Sequence, residues 1–571
     1  MIHQDGAISA RFWQAAYPPG VPVQVDLASH TTATALLLER LRTHADRPHC
    51  RLLGCDVTYG ALDQGSRAFA AWLQSRGLVA GDRIAIMLPN CPQYPLVVFA
   101  ALRLRLVIVN VNPLYTAREL RNQLVDSGAS AIVVLENFAS VVQAVLPDTG
   151  LKLVVTSGLA DLLPAWKRWP VHAALRWIKK AVPVWQLPQA VALRTALQMG
   201  AVLPLKTTLP QRDEVAVLQY TGGTTGVAKG AMLTQANLLA SLLTLSAWLQ
   251  PLMDQAPVVQ KRTMLLALPM YHVYGFVNCM LLSTVDGGLL VLVPNARDTA
   301  ALMRTWARQP VHMFAGINTL YNAVLNVATG PVPDYAALRY CGAGGASTQA
   351  SVAERWHART GQRIYEGFGM SETSSACCCN PWQLGVFNGT AGVPLPGMDA
   401  CVLDADDQPL PAGERGELCV RGPFVMKGYW NRPDETRAAF TADGYLRTGD
   451  IAEFTAEGFL RIVDRKKDMI LVSGFNVFPN EIEEVLASHP AVLECAVVGR
   501  PDPVTGEAVL AVVVLRQPGL PVAELQAFCR QNLTGYKRPQ QILVRDTLPK
   551  SPIGKILRRE LRQQLQAEQV D

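Results

Sequence analysis

The chain of 571 residues is half hydrophobic and 17% charged, with a net charge of +6. That length exceeds what a single core holds, so at least two domains are expected, and the composition excludes wholesale disorder. The charge excess is too mild to argue for a nucleic-acid partner, and MIHQDGAISARFWQ has neither the basic start nor the apolar core of a secretory signal.

In chain order, RIAIMLP (83–89) predicts a strand, YPLVVFAALRL a helix and VIVNVNP (107–113) a strand. TARELRNQLVDSG follows as a helix, with Thr116 and Glu119 spaced as a capping box and Gly128 at its end. ASAIVVL (129–135) is the next strand. This alternation predicts an α/β class, with parallel sheets flanked by helices. Leu162 to Arg212 contains no Asp or Glu but eight Lys or Arg, and LLPAWKRWPVHAALRWIKKAVPVW mixes these with four tryptophans. Two readings are open for it. One is a helix seated in an anionic bilayer interface; the other is a helix packed on the domain, with Trp in the core and basic groups in water.

EVAVLQ predicts a strand and TQANLLASLLTLSAWL a helix, joined by YTGGTTGVAKG (220–230). The apolar runs are interrupted, one by Arg103 and Arg105, another bracketed by His272 and Asp286, and fall short of the roughly 18 clean residues of a membrane span. Beyond about residue 465 the style changes. NEIEEVLASHP is a helix, AVVGRPDPVTGEAVLAVVVL two strands joined by a Pro/Gly turn, AELQAFCRQNL a helix and QQILVRDTLP a strand. That is a compact α+β unit ending in the basic KSPIGKILRREL. The twelve cysteines show no paired metal spacing, and adjacent side chains in Cys377-Cys378-Cys379 point apart. Reduced structural thiols and a cytoplasmic compartment are expected.

YTGGTTGVAKG packs four glycines, three threonines and a lysine into eleven residues. Glycine lets the main chain approach phosphate oxygens, threonine hydroxyls donate, and Lys229 adds positive charge. The Walker A spacing is absent, and alone such a turn can equally just connect two elements. Behind it, in order, stand LPMYHVYGF (268–276), GAGGAS (342–347), YEGFGMSET (365–373), GYLRTGD (444–450), DRKKDMILVSGFNVFPNEIE (464–483) and PKSPIGK (549–555). With these motifs the chain resembles the acyl-adenylate-forming (AMP-binding) superfamily. LQYTGGTTGVAKGAMLT and VDRKKDMILVSGFNVFPNEIE are most similar to its bacterial long-chain fatty-acid–CoA ligases.

The resemblance implies that a carboxylate is joined to AMP with release of diphosphate, after which the CoA thiol displaces AMP. It implies ATP, Mg²⁺ and CoA as ligands. Glu372 and Thr221 match the metal-binding positions and, with Lys555, the catalytic ones. Tyr220, Gly222, Gly223, Thr224, Thr225, Gly226 and Lys229 complete the phosphate loop. Glu366, Gly367, Phe368, Gly369 and Ser371 match the adenine segment; Phe368 stands where tyrosine is usual, and Ser371 where threonine is. Gly344, Gly345 and Ala346 match the loop over the base. Asp450 matches the ribose-binding aspartate, whose carboxylate suits a vicinal diol, and Arg465 the ribose-contacting arginine. Lys555 matches the lysine that reaches the acyl carboxylate and α-phosphate. Taken alone, Glu372 reads as a solvated carboxylate, Asp450 as a cap and KILRREL as a basic helix face.

Lys467 sits at the family's hinge, near 464–467, dividing a large domain (1–464) from a small mobile α+β domain (465–571). His272, Tyr274 and Gly316 are implied in the acyl pocket, and Gly474 where the CoA arm enters. Departures from the family pattern are Gly222 and Ala228 for serine and proline, Gln235 for histidine, and Leu104-Arg105 for Ala-Gly. The expected activity is ATP-dependent CoA ligation of medium- or long-chain fatty acids. The rivals are an aryl or other carboxylate–CoA ligase and a non-catalytic fatty-acid or acyl-adenylate binding regulator; joint retention of Glu372, Asp450 and Lys555 argues against the latter. A cytoplasmic protein is expected, with inner-membrane contact through 162–185 and homo-oligomerisation both left open.

Overall fold

The computed structural model describes residues 11–221, 228–254, 262–327 and 329–568. Gly222, Gly223, Thr224, Thr225 and Gly226 of the predicted phosphate loop lie outside the described residues. Arg83–Met87, Val107–Asn110 and Ala131–Leu135 are almost wholly buried apolar runs, as strands covered on both faces must be. With Leu153–Ser157, Val191–Ala192 and Val215–Tyr220 they pair in parallel, and Gly230–Thr234 closes one edge antiparallel. Helix Ala117–Ser127 starts on the expected capping box of Thr116 and Glu119 and ends on left-handed Gly128.

The glycine-rich stretch does not lead directly from strand to helix, as the sequence reading has it. It joins the antiparallel strands Val215–Tyr220 and Gly230–Thr234, and only then does helix Gln235–Asp254 begin. The second strand was hidden because GAMLT is short and merges with the apolar helix that follows. That helix is long and apolar enough, by length and composition, to cross a membrane. Here Leu238, Leu242 and Trp248 are buried in the protein core.

A nine-stranded sheet packs beside the first. Its centre is parallel, from Pro48–Leu52 through Leu289–Leu292, Thr263–Leu266, Met313–Gly316 and Tyr340–Ala343 to Ile364–Met370. Ser375–Cys379, which holds the three adjacent cysteines, continues it antiparallel. All twelve cysteines are free thiols. A four-stranded antiparallel sheet runs from Asp399–Leu403 to Leu460–Arg465 and sets Asp450 directly opposite Arg465. Past it, a five-stranded sheet from Ile470–Val472 to Gln541–Val544, with helices Pro479–Ser488, Val522–Asn532 and Arg558–Glu568, has apolar clusters of its own.

Two departures from the family pattern have local explanations. Arg105 adopts a left-handed φ of 58°, a conformation that favours glycine; its guanidinium is held by both oxygens of Glu214, at 2.9 and 2.7 Å. The Gln235 side-chain oxygen accepts from the Thr34 amide at 3.0 Å, tying the long helix to helix Ala33–Thr43. The tryptophan-rich segment bears out part of the packed-helix reading, since Val171 and Trp185 lie partly buried against the apolar clusters. Ala165–Ala173 continues as a wider helical turn, Ala174–Ile178, and neither has a buried residue. Trp166, Trp169 and Trp177 are 69%, 69% and 73% exposed, so these rings are not in the core.

Candidate active site

The sheets and the C-terminal unit line a cavity of about 2180 Å³. Strand Val215–Tyr220 delivers Tyr220 and Thr221 to its wall, and Lys229 returns on the far side. The Thr221 amide donates to the Lys229 carbonyl at 3.0 Å, closing the base of the hairpin. The Tyr220 hydroxyl donates to Asp126 at 2.7 Å, and Arg432 holds that carboxylate's other oxygen at 2.7 Å.

Strand Ile364–Met370 brings Glu366, Gly367, Phe368 and Gly369 to the cavity, and Ser371 and Glu372 follow in a short 3-10 turn. Gly369 is required by close approach: a Cβ there would lie 1.9 Å from the Ser375 carbonyl oxygen. Glu366 accepts from the Thr348 amide at 3.0 Å, and burial pushes its carboxyl up to about 8. Gly344, Gly345 and Ala346 face it from the loop after Tyr340–Ala343.

Glu372 is 5% exposed, and burial raises its pKa against the hydrogen bond it accepts from the Tyr429 hydroxyl at 2.8 Å. The Lys229 ammonium lies 5.2 Å from the centre of the same Tyr429 ring. Tyr429 thus couples the phosphate hairpin to Glu372. Sequence reading missed it, because an aromatic in GYW looks like core. A buried carboxylate with one neutral donor fits a divalent cation beside it, which would supply the countercharge.

Asp450 is 3% exposed, and burial raises its pKa. One oxygen takes Arg465 at 2.7 Å; the other, Oδ2, is buried without a partner. Lys555 enters from the turn before helix Arg558–Glu568. Burial, reinforced by the charge of Arg465 and opposed by that of Asp450, pulls its amine down to about 8. His272 is held neutral, its pKa lowered to about 4 by burial and by Lys555. Tyr274 and Lys467 also line the cavity. Gly316 does not: it ends strand Met313–Gly316 beneath the wall formed by Ala315 and Ile317. Gly474 does not either, standing outside the cavity in a left-handed turn (φ 84°).

The C-terminal unit is docked by polar contacts. The Thr319 hydroxyl donates to the Gly554 carbonyl at 2.9 Å, Asn322 to the Leu493 carbonyl at 3.0 Å, and the Ala350 amide to Glu484 at 3.1 Å. Arg558 braces the turn carrying Lys555 against Asp464 and Glu483, each at 2.7 Å. The cavity lining includes further polar and apolar residues. The polar ones include Asn122, Arg118 and Arg297, and the apolar ones Leu245, Leu249, Met264 and Leu282.

Comparison with known proteins places this geometry. Residues 37–430 match the AMP-binding enzyme family and 481–555 its C-terminal domain. A long-chain-fatty-acid–CoA ligase of Escherichia coli O6:H1 is 44% identical over 554 residues, 97% of this chain and 98% of that one. One of Bacillus subtilis is 35% identical over 560 residues, with the same coverage. The solved structure of an o-succinylbenzoate CoA synthetase from Bacillus subtilis, in complex with ATP and magnesium ion, superposes with a TM-score of 0.73 at 27% identity. That match covers 92% of this chain and 99% of that one.

The protonated form of Lys555 is the one that burial penalises. Its insertion therefore grows more favourable as pH rises from about 8 towards the ordinary lysine value, and is least favourable below about 8. In the ligand-free protein, Lys555 is expected to react with an amine-directed acylating reagent at a rate that climbs through about pH 8. Surface lysines should climb only near about 10.4. Peptide mass mapping across a pH series checks this; a Lys555 that titrates with the surface lysines would contradict the environment described.

Proposed function

The chain belongs to the AMP-binding enzymes, and on that premise we propose that it is an ATP-dependent fatty acyl-CoA ligase for medium- to long-chain acids. It converts fatty acid, ATP and CoA to acyl-CoA, AMP and diphosphate through an acyl-adenylate. The observation that carries this reading is the meeting, in one cavity, of Lys555, Arg465 and a half-free Asp450 with the apolar lining residues Leu245, Leu249, Met264 and Leu282. Two cations around one carboxylate favour an anionic ligand, and aliphatic lining residues favour an alkyl chain over an aryl ring.

Each group then has a task. The free Asp450 oxygen accepts a ribose hydroxyl proton, and Arg465 keeps that carboxylate ionised and aimed. Protonated Lys555 stabilises the charge that builds between the acyl carboxylate and the α-phosphate. Thr221 and Lys229 hold phosphate oxygens, and Phe368 lies beside the base. Glu372 and Thr221 would hold Mg²⁺, which offsets the charge of the triphosphate. Neutral His272 and Tyr274 border the acyl carboxylate without repelling it.

The position of Gly474 outside the cavity supports a second arrangement for the thioester step. The unit 465–571 turns about 464–467, Lys555 withdraws, and the Ser473–Phe475 loop enters, where glycine leaves room for the CoA arm. Residues 162–185 supply the membrane contact of a cytoplasmic, peripheral protein. Three exposed tryptophans stand among Lys167, Arg168, Lys179 and Lys180, the mixture that favours an anionic interface.

Lys555→Ala is expected to slow acyl-adenylate formation about a hundredfold or more, the usual effect of removing one preorganised charge donor. Conversion of supplied acyl-adenylate plus CoA should hardly change. Lys467→Pro should do the reverse, by fixing φ at the hinge. Separate assays of diphosphate release and thioester formation decide; equal losses in both steps would refute the rotation. Tyr429→Phe should reduce diphosphate release roughly tenfold, because Glu372 loses its donor; unchanged release would remove Tyr429 from the site. Replacing Lys167, Arg168, Lys179 and Lys180 by Gln should weaken binding to anionic vesicles by about 1 kcal/mol per charge. Sedimentation at two salt concentrations measures this, and unchanged binding would leave the segment no membrane role.

A further inference from the structure

One carboxylate joins three parts of the chain that lie far apart in sequence. Asp126 stands in the last turn of helix Ala117–Ser127 and lines the cavity. One of its oxygens accepts from the Tyr220 hydroxyl and the other from the Arg432 guanidinium, each at 2.7 Å. The backbone dipole disfavours a negative charge at a helix C-terminus, so the helix gains nothing from an aspartate there. The two partners flank strand Gly230–Thr234 on opposite sides. Tyr220 pairs with Gly230 on one side and leads directly into Thr221. On the other side runs the segment 427–432, where the Met232 amide donates to the Gly428 carbonyl at 2.9 Å and the Trp430 amide to the Gly230 carbonyl at 2.8 Å. That segment carries Tyr429 to the Glu372 carboxylate, and just before it the Met426 amide donates to the Glu372 carbonyl at 2.7 Å. The backbone ladder thus links each flank to the middle strand, and Asp126 ties the flanks to each other.

We infer that Asp126 is a positioning residue for the outer phosphates of ATP, setting where Thr221 stands relative to Glu372. Thr221 belongs to one flank and the support of Glu372 to the other, so a tie across the strand between them fixes their separation. Gly230 leaves room for it at the crossing point: a Cβ there would lie 3.1 Å from the Tyr220 ring. Without the carboxylate the Tyr220 hydroxyl loses its acceptor, and Arg432 keeps only a 3.8 Å contact with the Glu435 carboxylate. Both flanks would then be held by the ladder alone, and a small change in their separation is enough to weaken contacts that need both sides at once. AMP lacks the outer phosphates. Its ribose and base answer to Asp450 and Phe368, neither of which Asp126 touches.

The inference rests on the ligase reading, and one set of nucleotide titrations tests both. The full chain is titrated calorimetrically with ATP and with AMP, in excess Mg²⁺ and without fatty acid, so that no turnover intervenes. Asp126→Asn is expected to weaken ATP binding about tenfold and AMP binding by no more than about twofold. Arg432→Gln should give the same split, and Arg432→Lys should recover most of the loss. The double variant should bind ATP no worse than either single one, as two members of one contact do. Arg432→Gln removes the tie from its other end, so it carries the test should Asp126→Asn fold poorly. ATP and AMP weakened alike, or ATP binding left unchanged, would overturn the inference while leaving the ligase intact. An unmodified chain that binds neither nucleotide would overturn the ligase reading, and this inference with it.

Discussion

The Asp450–Arg465 pair is the constraint on which the rest of the site depends. Antiparallel register fixes the two residues opposite each other, and their 2.7 Å contact leaves one buried carboxylate oxygen free. Lys555 then comes up against this pair from another part of the chain, adding a second cation that burial disfavours. The cluster is electrically incomplete without an anion. A nucleotide supplies the missing negative charge and, with its ribose, the missing hydrogen bond. The polar seams at Thr319, Asn322 and Ala350 hold the Lys555 turn in place against that tension.

Much of this was legible in the residues. The alternation before residue 135 reads directly as a parallel sheet, because strands buried on both faces are continuous apolar runs, and Thr116, Glu119 and Gly128 mark the ends of their helix by chemistry alone. The site motifs were legible because glycines at close backbone approaches, such as Gly369, and charges in fixed order leave a signature.

What escaped was whatever depends on partners distant in sequence. Tyr429 matters only because Glu372 and Lys229 converge on it, and nothing in GYW announces that. Strand Gly230–Thr234 was lost between a loop and a long apolar helix. The exposure of three tryptophans was not legible, because a mixture of Trp and basic residues fits an interfacial helix and a packed one equally. Gly316, implied in the acyl pocket, supports the wall through its neighbours Ala315 and Ile317.

Among the described residues, none of the buried apolar clusters spans the large part and the C-terminal unit; those beyond Ile470 are built entirely from residues of that unit. The seam between the two is made largely of hydrogen bonds and ion pairs, which water can replace one for one. A rearrangement across it therefore carries little heat-capacity change, since that quantity tracks apolar area exposed. A plot of the logarithm of its equilibrium constant against reciprocal temperature would therefore be close to straight, and the equilibrium would respond to ionic strength. In thermal terms the two parts are neighbours that share a wall but no foundation.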